Sequence, residues 1–331
     1  MRRPFCSSGD LIADRRYAYG AELAQAGDFS AAIELFKQAT ARAPRWTPAW
    51  HALARARLDA FDRPGAIAAF RECLKLDHDD VLGASLDLAR LDAAVTIDAA
   101  PAAYVAALFD SYAPKFETAL VERLQYTAPT TIAALVREAT PSASPRRFAR
   151  ALDLGCGTGL AGEALRLDVA YLEGVDLAAG MIAVAAEKGV YDSLVKADLL
   201  SHLLASTEKF DLIIAADVFI CIGDLSRVMK ALAARLSPGG LVAFSIEKSD
   251  REDWTIGESL RFAHSAGYVR LLAAASSLSV VALVETTLRK DRGGDVAGYV
   301  VLLRMPAQPT IAPYDAAAAD APGASLATPL H

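Results

Sequence analysis

The sequence predicts an α/β protein in two parts: an all-α repeat over residues 1–98 and a doubly wound sheet of seven strands over residues 149–305. Three observations predict it. The first hundred residues repeat with a period of 34. Beyond the break PSASPRR (Pro141–Arg147), short apolar runs alternate with helical ones, the order that builds a parallel sheet. At the first strand-to-helix turn, ALDLGCGTGLAGEAL (Ala151–Leu165), glycine recurs at every second position after an aspartate.

Shifting the chain by 34 places Gly20 on Ala54 and Leu88, Ala32 on Ala66 and Ala100, Phe36 on Phe70 and Tyr104, and Ala39 on Cys73 and Ala107. Small residues let two helices approach closely, and the aromatic fills the gap to the next helix. Gly27 and Asp28 mark an inter-helix turn, and Pro44 closes the first unit. The pattern resembles the tetratricopeptide repeat. Two units agree and the third is degenerate. About three are usually needed, because each unit buries its face on the next. The following domain is therefore expected to cover the last helical face. Residues 99–148 are expected to be a helical lead-in, in which Phe109, Tyr112, Phe116, Leu120 and Leu124 recur at three- and four-residue spacing and Pro129 marks a break.

The expected strands are Ala149–Leu154, Ala170–Asp176, Leu194–Ala197, Phe210–Ala216 and Leu241–Ile246. Leu278–Leu288 and Val296–Leu303, turned at Asp291–Gly294, are expected to close the sheet as an antiparallel pair. Residues 306–331 are rich in Pro and Ala and aperiodic, the composition of a disordered tail.

The spacing of the glycines excludes two phosphate-binding motifs. A P-loop needs Lys and Ser or Thr after its last glycine, but Leu160 and Ala161 stand there. A dinucleotide fingerprint needs a glycine at position 160, which is Leu. What remains is Asp153, Gly155, Gly157 and Gly159, and this resembles the first motif of the class I S-adenosylmethionine-dependent methyltransferases, with their Rossmann-like fold. The resemblance implies roles for further residues. Asp176, ending the second strand, would accept from the ribose hydroxyls; it also suits a helix N-cap. Met181 would pack near the adenine, as would Leu199, beside an adenine-amine acceptor at Asp198. Asp217 would stand beside the reacting end of the cofactor. FDSYAPKFETALVERLQY (Phe109–Tyr126) is similar to the lead-in helix of ubiquinone- and biotin-pathway methyltransferases, which covers the cofactor with Tyr112 and Phe116. LRFAHSAGYV, VETTLRK and VAGYVVLLR resemble a bacterial subgroup that joins tetratricopeptide repeats to this domain.

Composition bounds the acceptor. The net charge of −6 argues against a general nucleic-acid or anionic-membrane binder. No Asn-Pro-Pro-aromatic motif follows the fourth strand, where ADVF stands, which counts against methylation of a nucleic-acid base or of glutamine. The four cysteines lack metal-ligand spacing, and no metal is expected. The first residues lack the apolar core of a signal peptide and no run is long enough to span a membrane, so the expected location is the cytoplasm. His264, past the fifth strand and beside the helix-capping Ser265, is the candidate general base. Two enzyme readings and one other follow. A small-molecule methyltransferase, acting on oxygen or nitrogen, would use the repeats as a lid or for oligomerisation. A protein methyltransferase would recruit its target through the repeat groove. A non-catalytic binding protein would keep the fold alone. The repeats hold no Asn, which groove-binding repeats usually present, and this favours the first.

Overall fold

The computed structural model describes residues 7–92, 94–117, 124–141, 146–291 and 293–307. Leu120, Cys6 and the tail from residue 308 lie outside them. Four helices form two antiparallel pairs: α1 (Leu11–Gln25) with α2 (Phe29–Arg42), and α3 (Thr47–Asp59) with α4 (Arg63–Leu76). The 34-residue period also places the caps. Asp28 accepts from Ala31 N and Asp62 from Gly65 N, each satisfying a donor that the first helical turn leaves unpaired. Ala32, Ala66, Phe36 and Phe70 are buried between the helices as the small and aromatic positions require.

The third unit has only its first helix, α5 (Ala84–Leu91). The positions that would continue it, Ala100 and Tyr104, leave the stack. Ala100 N donates to Cys221 O, and Asp98 O accepts from Gly223 N and Asp224 N. The α6 helix (Ala102–Tyr112) packs on the sheet domain's α9 (Ala179–Lys188). The stack thus ends against the second domain, with α5 touching β6 (Trp254–Ile256). Deleting residues 1–98 is expected to lower the melting temperature of the remaining domain in calorimetry; an unchanged value would show the repeats to be independent.

The sheet runs β3 (Ser193–Lys196), β2 (Val169–Asp176), β1 (Phe148–Leu154), β4 (Phe210–Ala215), β5 (Leu236–Lys248). All these pairings are parallel. β9 (Gly294–Arg304) adds antiparallel to β5, and β8 (Ser279–Asp291) to β9, completing the seven expected strands. Two short strands were not expected: β6, and β7 (Phe262–His264), which pairs with the carboxyl end of β5. Three-residue strands are too brief to show a period of two. SPGG (Ser237–Gly240) lies within β5 beside a register irregularity.

Successive strand residues face opposite layers. Leu152 and Leu154 meet α10 (Leu199–Ala205), α11 (Ser226–Arg235) and α12 (Ala266–Ala275). Ala151 meets α7 (Ala128–Ala139) and α8 (Leu160–Leu165). Helices on both faces leave the carboxyl strand ends as the open edge, where such sheets bind ligands.

Candidate functional site

At that edge lies a cavity of about 680 Å³. Its floor is the glycine turn. Gly155, Gly157 and Gly159 have φ of +61°, +55° and +96°, the left-handed region that favours glycine. A Cβ on Gly155 would stand 2.6 Å from Val218 Cγ2, so the turn also requires close packing. A Cβ on Gly157 would meet only Phe116, at 3.9 Å. Gly159 instead sits against Tyr191 at the start of α8, off the cavity wall.

Asp176 ends β2 facing this turn. One of its oxygens accepts from Gly157 N (2.9 Å) and the other from Ala178 N (2.8 Å). Burial raises its pKa, and those backbone donors oppose the rise. Asp153 is buried deeper. Tyr191 Oη donates to its Oδ2 (2.7 Å), while Oδ1 has no partner among the described residues. Burial pushes its pKa up to about 7. Met181 is buried with Phe109, Tyr112 and Phe116 beneath α6. Asp110 on α6 accepts from Gly180 N (2.7 Å), fastening this cover to α9. Asp198 lines the cavity while capping α10 through Ser201 N, and Leu199 stands next to it. The fold thus brings Tyr112, Phe116, Asp153, Gly155, Gly157, Asp176, Met181, Asp198, Leu199 and Asp217 to one cavity.

His264 is not brought there. It is the last residue of β7, fully buried and off the cavity wall. Its Nε2 lies 3.0 Å from Gly223 O, which can only accept, so that nitrogen carries the proton. Its ring stacks on Tyr268 at 6.0 Å. Burial lowers its pKa to about 4. The reading as a loop base is corrected by this placement: an unexpected strand turned the residue inward. A stability consequence follows. The unfolded chain takes up a proton on this ring below pH 6.5, and the folded protein refuses it down to about pH 4. The contribution is full above pH 6.5 and is lost as pH falls across that window, by about 3 kcal/mol. Asp153 has the opposite slope, since its raised pKa favours the folded state as pH falls below about 7. Denaturation of wild type and His264→Gln at pH 7 and pH 4.5 isolates the histidine: their stability difference is expected to shrink at the lower pH.

Asp217 has a φ of +60°, uncommon without glycine, and its N–H donates to Ser245 Oγ (2.8 Å). Its two oxygens accept from Arg289 Nη1 (2.8 and 2.9 Å). Arg289 is 1% exposed and also donates to Glu247. Sequence reasoning missed Arg289, Glu247, Tyr191, Tyr126 and Arg261. A charged Arg289 beside buried Leu288 in β8 was the one legible sign. Tyr126 lines the cavity on a segment tied to β8, where Thr127 N donates to Leu288 O and Lys290 N to Leu124 O.

Residues 152–244 match the profile of the methyltransferase domain, and residues 13–56 that of the tetratricopeptide repeat. Over 107 residues the chain is 29% identical to the ubiquinone biosynthesis O-methyltransferase of Serratia proteamaculans, covering 31% of this chain and 44% of that protein. It is 35% identical over 105 residues to the malonyl-[acyl-carrier protein] O-methyltransferase of Enterobacter lignolyticus, covering 32% and 41%. The match thus spans less than half the length of these relatives. Among solved structures, an S-adenosylmethionine-dependent methyltransferase from Clostridium acetobutylicum aligns with a TM-score of 0.45 at 18% identity, over 60% of this chain and 99% of that one. Among the described residues no helix is long and apolar enough to cross a membrane.

Proposed function

We infer that this chain, with a methyltransferase domain behind tetratricopeptide repeats, is an S-adenosylmethionine-dependent methyltransferase with a small-molecule acceptor. The observation that carries the reading is the pairing of Asp176 with the left-handed glycine turn. Each Asp176 oxygen accepts one backbone N–H and keeps further acceptor capacity for a ligand's hydroxyls. Among the described residues, Asp153 Oδ1 is a buried acceptor without a partner. At Gly157 the backbone leaves open the space a side chain would take. These features fit S-adenosylmethionine, which Asp176, Gly155 and Gly157 would hold, with Met181, Leu199, Asp198, Tyr112 and Phe116 around it.

Bound there, the cofactor would supply a methyl group already activated on a sulfonium. The chain's own part is to enclose and align. α6 and the 98–100 segment line the cavity and partly enclose it. Asp217 is occupied by Arg289, and His264 is fully buried away from the cavity wall, where no methyl acceptor reaches it. Proximity and orientation are then the main catalytic device. Three of the repeats' arginines are already paired, which supports the small-molecule reading: Arg55 pairs with Asp87 (2.8 Å), Arg71 with Asp92 (3.0 Å), and Arg63 donates to Leu91 O.

Titration calorimetry with S-adenosylhomocysteine tests the cofactor, with NAD as the control; a preference for NAD would overturn the reading. Methyl label supplied to lysate of a strain lacking the protein tests the acceptor. Label in the small-molecule fraction is expected, and label in protein would select recruitment through the repeats.

A further inference from the structure

The β6–β7 hairpin is an addition to the seven-strand sheet, and its turn reaches the cavity. Gly257 N donates to Arg261 O (2.9 Å) and Leu260 N to Gly257 O (3.0 Å), closing the turn. Leu260 stands at φ +60°, a strained conformation for a bulky side chain. Such strain persists where surrounding structure enforces it, and it clusters at functional sites. Asp217, across the same cavity, is also in the left-handed region. The strained turn presents Ser259, Leu260 and Arg261 to the cavity.

Arg261 is 32% exposed, and among the described residues its guanidinium donates no hydrogen bond. Its nearest carboxylate oxygens are those of Glu247 at 3.7 Å and Asp291 at 3.9 Å, too far for hydrogen bonds. Glu247 is already engaged by Arg289. A planar fork of donors is thus left facing a partly enclosed cavity. The other carboxylates nearby are accounted for: Asp217 is held by Arg289, Asp224 accepts from Ser226 N and Tyr268 Oη, and Asp98 is at the exposed rim. The same cavity is also lined by the apolar side chains of Leu260, Ile220, Ile222, Val105 and Leu108.

We propose that the hairpin turn is the acceptor-recognition element, with Arg261 as the fork for an oxyanion carried on an apolar body. This rests on the methyltransferase reading for the identity of the acceptor, but the anion site itself stands on Arg261. A fork matches carboxylate and phosphate alike, with two parallel hydrogen bonds.

The test is calorimetric titration of the full-length protein, with and without S-adenosylhomocysteine, using phenylacetate, phenyl phosphate and the neutral phenylacetamide. One of the two anions is expected to bind roughly 10- to 100-fold tighter than the amide, the scale of hydrogen bonds to charged groups. The tighter anion identifies the oxyanion. Arg261→Gln is expected to erase this preference while leaving S-adenosylhomocysteine affinity and melting temperature unchanged, and Arg261→Lys to retain part of it. Equal binding of amide and anions, or a preference that survives in Arg261→Gln, would overturn the proposal. Failure of S-adenosylhomocysteine to bind, with the anion preference intact, would count against the methyltransferase reading alone.

Discussion

Replacing Arg289 by methionine is expected to cost about 3–5 kcal/mol of stability, the scale for breaking one side of a buried ion pair. Arg289 is 1% exposed and lies between Asp217 and Glu247. Without it Asp217 loses its cation and, among the described residues, Glu247 keeps only Arg261, at 3.7 Å, in a low-dielectric setting. The cost therefore comes from the stranded acids more than from the lost attraction. That distinction is measurable. In Asp217→Asn with Glu247→Gln added to Arg289→Met, no charge is stranded, and much of the stability is expected to return. Asparagine also tolerates the left-handed backbone of position 217. Urea unfolding of the single and triple variants makes the comparison. A single variant within about 1 kcal/mol of wild type would mean that water reaches the carboxylates and pairs them instead.

Asp176→Ala is expected to weaken S-adenosylhomocysteine binding by about 1–3 kcal/mol, roughly 5- to 150-fold. The carboxylate has two tasks. It accepts from Gly157 N and Ala178 N, which holds the glycine turn, and it keeps acceptor capacity for a ligand. Alanine removes both. Asparagine retains one acceptor oxygen and the side chain's shape, so it is expected to bind better than the alanine variant while remaining weaker than wild type. Unchanged affinity in Asp176→Ala would remove the residue from the site. The melting temperature of each variant separates a collapsed turn from a lost contact.

How much of this was legible in the sequence depends on what kind of signal each feature leaves. The glycine turn was plain because its three positions need backbone angles that few residues other than glycine adopt. The strands of the main sheet were plain because several residues of one pattern precede each break, and Phe210–Ala215 and Val169–Asp176 fall within a residue of expectation. The β6–β7 hairpin left no such trace, and His264 was misplaced with it. Tyr191 lies beside Gly159, Gly162 and Gly174 and donates to Asp153, a contact across 38 residues that no local pattern encodes. The Arg289 cluster is the same case at longer range, joining the turn after β4 to β5 and β8 across 72 residues. The third repeat unit stops short for a different reason. Small and aromatic residues at Ala100, Tyr104 and Ala107 satisfied the period, yet Asp98 and Ala100 are bonded to the 221–224 segment before a further helix pair can form.

β5 is the strand on which two different structures are hung. Its middle, Leu241 to Glu247, is zipped to β9, while the hairpin pairs with it only at Glu247 and Lys248 and is held otherwise by α5 against β6 and by His264 on Gly223. An element that shares so little of the strand register is a variable module on a fixed sheet. Its residues can be exchanged, lengthened or shortened without renegotiating the sheet's register, much as an antibody loop varies over a constant framework. Chimeras that graft foreign hairpins between Ser249 and Ser265 should therefore fold on the same scaffold and differ in what they admit to the cavity, with His264 and its bond to Gly223 as the part of the graft to be kept.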